Sequence, residues 1–270
     1  MRTLREGDLP DLLELSKAAG WNQTREDWLR VMAIDPALCL GIEREGRIAA
    51  TATATSFEGK AAWIGMVLTH PGFRGQGLAR ALMEALTRQL DGLGIEIQKL
   101  DATDMGRPLY LQLGFVDEQP VERWKRPASA APPEPCIMEP FAFDAALDLE
   151  AFGWDRSRVI RSLEASGGGI TTEGGFALGR PGAQAAYFGP CVARNAPAAR
   201  RLLRWFLARH AGEDVFWDLL PSNKEAVRLA RPLAFAPVRK LTRMSRTAAG
   251  KSEPARRDDY VYAIAGFEFG

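Results

Sequence analysis

Three cysteines and two histidines are all that the 270 residues contain of the side chains that most often build disulfide frameworks and zinc sites. Cys39, Cys136 and Cys191 are odd in number, widely spaced and without a CxxC pair, and only His70 and His210 stand to join them. Neither a disulfide scaffold nor a metal site is expected. Net charge is nearly absent too, at a formal +1. Such a chain has no field that would draw nucleic acid or an anionic membrane, so local sites must carry recognition. No apolar run approaches the roughly 20 residues of a membrane helix, and residues 1–6 form no signal-peptide apolar region. The expectation is a cytoplasmic protein with neither a nucleic-acid nor a membrane partner. Nothing in the sequence speaks to its oligomeric state.

What the chain does have is length for two domains, each large enough to bury a core. Its most informative stretch is residues 66–80, Met-Val-Leu-Thr-His-Pro-Gly-Phe-Arg-Gly-Gln-Gly-Leu-Ala-Arg. An apolar strand runs through a proline turn into an arginine and two glycines, then into an amphipathic helix. Glycines let the backbone approach phosphate oxygens without a Cβ clash, and the first helical turn presents unpaired N–H groups at the positive end of the dipole. Arg74 and Arg80 add charge. A P-loop would need Gly-Lys-[Ser/Thr], but Gly77 is followed by Leu78 and Ala79. A dinucleotide fingerprint would need a small residue where Arg80 stands.

The segment Arg74-Gly75-Gln76-Gly77-Leu78-Ala79, preceded by Pro71, resembles motif A of the GNAT acetyltransferases. Downstream, residues 108–115, Pro-Leu-Tyr-Leu-Gln-Leu-Gly-Phe, look like that family's Leu-Tyr-x-x-Leu-Gly-Phe signature. The two occur in the family's order and separation. The resemblance implies that residues 74–80 cradle the diphosphate of acetyl-CoA. It also implies that the strand residues Val67, Leu68 and Thr69 bulge and offer backbone groups to the pantetheine arm. Tyr110 matches the tyrosine that returns a proton to the leaving thiolate. A phenol can serve there because the departing sulfur needs a donor. Thr103 occupies a place that often holds an asparagine. The base that deprotonates the amine stays open between an ordered water and a carboxylate: Asp101 and Asp104 follow the strand next to the site and Glu58 lies in a loop that could face it, and each also reads as a solvated or capping carboxylate. His70 reads as a turn residue.

Around these motifs the pattern of the first half is coarse but consistent. Residues 1–6 read as a short strand, followed by a helix capped by Asp8 and closed at Gly20. A capping box at residues 24–27 opens a second helix, which carries Trp28, Leu29 and Met32 inward until Asp35-Pro36 ends it. Strands 37–44 and 47–57 form a hairpin through Glu45-Gly46, and strand 61–69 leads into the cradle. The helix of residues 76–93 places Leu78, Leu82, Leu86 and Leu93 on one side. Strand 95–102 can then run parallel to strand 61–69. A short helix, 105–113, and a last strand complete the half.

Residues 127–135 are rich in proline and alanine and read as a linker. The expected domains are therefore 1–127 and 137–270, joined by 128–136. The second half repeats the first: helices 141–152 and 155–165, strands 169–173, 176–179 and 183–192, helix 197–210, strand 215–220, helix 223–230 and strand 235–243. A shift of 120 positions (235 − 115) lays Phe115 on Phe235, Leu82 on Leu202 and Arg74 on Arg194. It also lays Gly75 and Gly77 on Asn195 and Pro197, and Tyr110 on Ala230. Proline has no N–H for a phosphate and alanine no proton to give, so the second copy reads as degenerate. It resembles the C-terminal domain of tandem GNAT proteins, through residues 187–190 and 242–244. Residues 245–259 read as a charged loop and 260–269 as a terminal strand.

The expected fold is α/β on a mixed sheet: two tandem GNAT-like domains, each a mostly antiparallel twisted sheet with a parallel central pair, flanked by helices. The expected activity is transfer of an acetyl group from acetyl-CoA, without a metal, to a primary amine of a small-molecule or peptide acceptor. A second reading, an acyl-CoA sensor, keeps the cradle but has no use for Tyr110.

Overall fold

The computed structural model describes residues 1–128, 130–131 and 139–270. Most of the expected linker at 128–136 lies outside the described residues, as does Cys136. The chain forms two compact units. Unit 1 comprises Met1–Asp117, Met244–Ser252 and Phe267–Phe269, and unit 2 comprises Glu118–Arg243, Glu253–Gly266 and Gly270.

In unit 1, β1 (Arg2–Thr3), β2 (Cys39–Arg44), β3 (Arg47–Phe57) and β4 (Ala61–Thr69) pair antiparallel in that order, and β5 (Ile97–Ala102) runs parallel to β4. Left-handed backbone sets both hairpins. Glu45 and Gly46 (φ 52° and 76°) join β2 to β3, and Glu58 and Gly59 (φ 52° and 67°) join β3 to β4. Paired positive φ angles match the twist of the flanking strands. The strand's even residues Ala50, Ala52 and Ala54 lie in one apolar cluster with Leu78, Leu82, Met83, Leu86 and Leu90 of helix α3 (Leu78–Gly92). Thr51, Thr53 and Thr55 alternate with them and are buried as well, so they face the other side of the sheet. Helices α1 (Leu9–Ala18) and α2 (Arg25–Ile34) also pack on β3. Ala248 N–H donates to Glu96 O at 2.8 Å, just ahead of β5.

Several local details differ from the sequence reading. Asp8 does not cap α1. Its carboxylate accepts from Arg5 N–H and from the Arg2 guanidinium, each at 2.8 Å, and closes the preceding turn, because its own backbone is already helical. Gly20 does end the helix, at φ 65°, with its N–H and that of Trp21 returning to Lys17 O and Ser16 O. On α2 the buried residues are Asp27, Trp28, Arg30 and Val31, whereas Leu29 and Met32 are half-buried. The Trp28 indole N–H donates to Ser16 Oγ at 2.9 Å, which rotates that face toward α1, and Arg30 meets Asp27 at 2.6 Å so that both charges can be buried. On α3, Leu93 is 59% exposed and Leu90 takes its place, since the backbone leaves the helix at Leu93 ahead of Gly94 (φ 77°).

The capping box at Thr24 forms as expected: Thr24 Oγ1 accepts from Asp27 N–H, and Asp27 Oδ2 accepts from Thr24 N–H at 2.9 Å. Thr24→Ala is expected to lower stability by about 1 kcal/mol, read as a shift in the urea midpoint at unchanged slope.

In unit 2, β7 (Glu139–Pro140), β8 (Gly169–Thr172), β9 (Gly175–Arg180) and β10 (Ala186–Ala193) are successive antiparallel neighbours, and β11 (Val215–Leu219) runs parallel to β10. β6 (Val116–Arg126), which belongs to this unit from Glu118, pairs antiparallel with β11. Leu202, Leu203 and Phe206 of α7 (Ala196–Arg209) fill the core. The helix preceding this sheet, α5 (Ala145–Phe152), starts later than residue 141 because Asp144 caps it, accepting from Leu147 N–H. It is followed by α6 (Ser157–Gly167). The strand β12 (Ala236–Thr247) takes in residues read as loop, and Arg256 ties the segment after it to Glu118, Glu253 and Asp258. Only Val261–Ala263 of the expected terminal strand is extended in the sheet, as β13 beside β10.

Each unit is therefore a mixed sheet, mostly antiparallel with one parallel central pair, flanked by helices. β12 begins 120 residues after β6 (236 − 116), as the internal repeat requires. Among the described residues, no helix is long and apolar enough to cross a membrane.

Candidate functional site

The site begins with a break in β4. Met66 has φ 48°, and the register to β3 slips between the pairs Thr53↔Gly65 and Thr51↔Leu68. Thr51 Oγ1 donates to Met66 O at 2.7 Å and Thr53 Oγ1 to Gly65 O at 3.2 Å, holding the bulge. The irregularity thus lies at Met66 rather than across residues 67–69, and Leu68 and Thr69 pair again with Thr51 and Ala50. On its other edge, β4 pairs with β5 only through Ala61, Ala62 and Trp63. Beyond that point the parallel strands part, and Val67 packs against the unit 1 core from a half-buried position.

The turn that follows is built by short-range bonds. His70 Nδ1 accepts from Gly72 N–H at 3.2 Å, and Arg74 Nε donates to Thr69 O at 3.4 Å. Gly75 and Gly77 adopt φ 77° and 74°, and a Cβ on either would meet no atom within 4 Å. Both glycines therefore border open space. Gly77 is the N-cap residue of α3 and offers no side chain to cap it. Among the described residues, nothing accepts from the N–H groups of Leu78, Ala79 or Arg80, which stand at the positive end of a 15-residue helix. Arg74, Gln76 and Arg80 are exposed, Ala79 is half-buried and Leu78 is buried.

The third component is α4 (Arg107–Gln112). Thr103 Oγ1 accepts from Gly106 N–H at 3.2 Å and thereby shapes the turn that starts it. Gly106 lies under the Tyr110 ring, since a Cβ there would come within 3.0 Å of the ring and 3.3 Å of the hydroxyl. Phe115 meets the ring edge-on, with centroids 6.2 Å apart, after Gly114 has turned the chain at φ 85°. Among the described residues the Tyr110 hydroxyl has no hydrogen-bond partner, and burial pushes its pKa up, so the phenol keeps its proton through the neutral range. Arg80 donates to Gln112, which joins the first turn of α3 to the tyrosine helix. Val67, Leu78 and Tyr110 belong to one apolar cluster.

Of the carboxylates considered as a base, Asp101 is the next-to-last residue of β5, at the same end of the sheet as the glycine turn, and Asp104 is exposed. Glu58 is excluded by topology. It lies in the turn before β4, separated from the cradle by the nine residues of that strand, about 30 Å. A different carboxylate, Glu268, lies against Gly65 and hydrogen-bonds to Gln23. No local pattern in the sequence links residues 245 positions apart.

The second copy differs where the sequence said it would. Asn195 Oδ1 accepts from Ala198 N–H at 2.9 Å and Pro197 brings no N–H, so the first turn of α7 is largely satisfied from within. Ala230 is fully buried at the tyrosine's counterpart. Among the described residues, no cluster of His, Cys, Asp and Glu could hold a metal ion. Cys39 and Cys191 are buried free thiols, and burial pushes that of Cys39 up to about 12.

Residues 5–115 match the model of the Acetyltransferase (GNAT) family, and residues 145–263 match a second model, an Acetyltransferase (GNAT) domain. Solved structures share the fold. A candidate acetyltransferase from Pyrococcus horikoshii superposes with a TM-score of 0.85 at 20% identity, over 100% of this chain and 95% of its own. A GCN5-related N-acetyltransferase from Sphaerobacter thermophilus gives 0.69 at 17% identity, over 95% and 98%. A tandem GNAT protein from the clavulanic acid biosynthesis pathway gives 0.61 at 13% identity, over 93% and 98%.

Proposed function

Since the chain belongs to the GNAT acetyltransferase family, with a GNAT domain in each half, we propose that its first domain, residues 1–127, transfers an acetyl group from acetyl-CoA to a primary amine. The acceptor is a small molecule or a peptide, and the amine attacks directly within a ternary complex. The observation that carries this reading is the helix start at Gly77. Three N–H groups without an acceptor among the described residues follow two glycines that border open space, flanked by two arginines and joined through Arg80 to the helix of Tyr110.

In this reading the N–H groups of residues 75–80, with Arg74 and Arg80, bind the diphosphate. The parted edge of β4 at Val67, Leu68 and Thr69 aligns the thioester arm, and Thr103 fixes the turn that presents Tyr110. As the nitrogen bonds to the thioester carbon and the carbon–sulfur bond breaks, Tyr110 gives its proton to the sulfur, and the proton that the nitrogen sheds in becoming an amide restores the phenol. The second domain, residues 137–270, has spent the corresponding donors on Asn195 and Pro197 and binds no coenzyme.

One acetyl-CoA per chain is therefore expected by calorimetry, with thiol release when a panel of amines and peptides is supplied. Binding without thiol release from any amine would overturn the enzymatic reading. Gly77→Ala is expected to weaken acetyl-CoA about tenfold, because a left-handed non-glycine residue costs roughly 1–2 kcal/mol and the new Cβ enters the open space. Unchanged affinity in that variant would remove the cradle from residue 77.

A further inference from the structure

One side chain closes the turn that leads into residues 74–80. His70 N–H donates to Ala49 O at 2.8 Å and ties the backbone to β3, while His70 Nδ1 accepts from Gly72 N–H at 3.2 Å. His70 O and Pro71 O then accept from the N–H groups of Phe73 and Arg74, at 2.9 and 3.4 Å, and Gly75 follows directly. Pro71 has no N–H to offer, so the side-chain bond to Gly72 is the first that shapes the turn. The ring is engaged on its other side too. Its Nε2 lies 3.5 Å from Glu14 Oε1 on α1, and Glu14 Oε2 pairs with Arg47 at the start of β3. Phe73 lies against the ring, with centroids 5.7 Å apart. All of these residues belong to one compact unit.

A ring nitrogen accepts a hydrogen bond only while it carries no proton. The Gly72 bond therefore requires the neutral tautomer with its hydrogen on Nε2, the nitrogen beside Glu14. An imidazolium carries a hydrogen on both nitrogens, and Nδ1–H would then stand against Gly72 N–H, donor against donor. Arg47, and after it His70, hold the Glu14 carboxyl below the usual carboxylate range, so it stays ionised where imidazoles titrate. The charged groups around the ring are Glu14 on α1, Arg47 on β3 with Asp11 at 4.0 Å from it, and on the turn Arg74, whose Nε donates to Thr69 O. The shift of 120 positions lays His70 on Pro190, so the second copy has no such group.

We propose that His70 is a positioning residue that makes coenzyme capture depend on pH. The neutral imidazole holds residues 71–74 in place for the diphosphate, and its protonation releases Gly72 and weakens acetyl-CoA. The inference rests on the acyl-transfer reading and adds regulation to the same site. An imidazolium also attracts the anionic diphosphate, which acts in the opposite direction. Glu14, at 3.5 Å, offsets that charge, so loss of the Gly72 bond sets the sign. Affinity is full above the range in which the imidazole titrates and falls as pH drops through it.

The test measures acetyl-CoA affinity of the full chain by calorimetry at about pH 8 and about pH 5.5, on either side of the ordinary histidine range, for wild type, His70→Asn and His70→Ala. Asparagine places Oδ1 where the ring has Nδ1, and it accepts from the N–H two residues on without titrating. Wild type and His70→Asn are expected to bind alike at the higher pH. On acidification wild type is expected to lose about fivefold more affinity than His70→Asn, the worth of one hydrogen bond. Ionisation of the coenzyme's phosphates is common to both and cancels in the comparison. His70→Ala is expected to bind about fivefold more weakly than wild type already at the higher pH. Equal losses on acidification in wild type and His70→Asn, or wild-type affinity in His70→Ala, overturn the proposal. In the coenzyme-free chain the Gly72 amide resonance is expected to move with pH in wild type and to stay in place in His70→Asn, and a stationary wild-type amide overturns it as well. Failure of acetyl-CoA to bind at either pH would instead overturn the transfer reading, while the Gly72 titration still decides whether His70 releases the turn.

Discussion

Tyr110→Phe is expected to lower turnover by about 100-fold or more and to leave acetyl-CoA affinity unchanged. Phenylalanine keeps the ring that packs on Phe115 and over Gly106, so the fold has no reason to change. What goes is a hydroxyl that bonds to nothing else among the described residues and that burial keeps protonated. A merely structural tyrosine of this kind would show the opposite pattern, with a small change in stability and none in rate. Single-turnover thiol release, with affinity measured separately by calorimetry, tells the two apart. An unchanged rate would take Tyr110 out of the chemistry.

The second large effect concerns stability. Asp148→Ala is expected to cost about 3–5 kcal/mol, a large part of the roughly 5–15 kcal/mol that holds a domain folded. Arg156 and Asp148 are each about 1% exposed at the side chain. Arg156 Nε donates to Asp148 Oδ2 and Nη2 to Oδ1, both at 2.9 Å, and Nη1 donates to Gly270 O at 3.1 Å. The guanidinium also lies 4.3 Å from the Phe152 ring centre. Removing the carboxylate strands a buried cation, and that desolvation sets the magnitude. The exposed pair Arg257–Asp259, with side chains 46% and 60% exposed, is even shorter, at 2.7 Å. Breaking it is expected to leave the unfolding midpoint nearly unchanged, because solvent screens an exposed pair. Denaturant unfolding of the two variants compares burial against distance directly. Equal losses would show that desolvation does not govern the Asp148 site.

The features legible beforehand are those set by a few neighbouring residues. The hairpin at Glu45-Gly46, the Thr24 capping box, the stop at Gly20 and the turns at Gly75 and Gly77 each depend on φ angles and hydrogen bonds within about five positions. Apolar spacing located α3 and α7, and the 120-residue repeat placed the altered cradle at Asn195 and Pro197. The misreadings share a cause as well. Leu93 has the spacing of a core residue and Leu29 the composition of one, but the helix terminus leaves Leu93 exposed and the Trp28–Ser16 bond leaves Leu29 half-buried.

The sequence alone determined that there are two copies of one fold, that only the first keeps the glycines and the tyrosine, and where the glycine turn that opens α3 lies, because these are local matters of backbone freedom and side-chain chemistry. The tertiary structure decided which carboxylates count. Glu58 was removed by the direction of a strand. Glu268 was brought to Gly65 and Gln23 across 245 positions. Asp148 became critical by being buried with Arg156. A carboxylate's effect depends on the water it has lost and the partner it has gained, and both are set by segments distant in the chain.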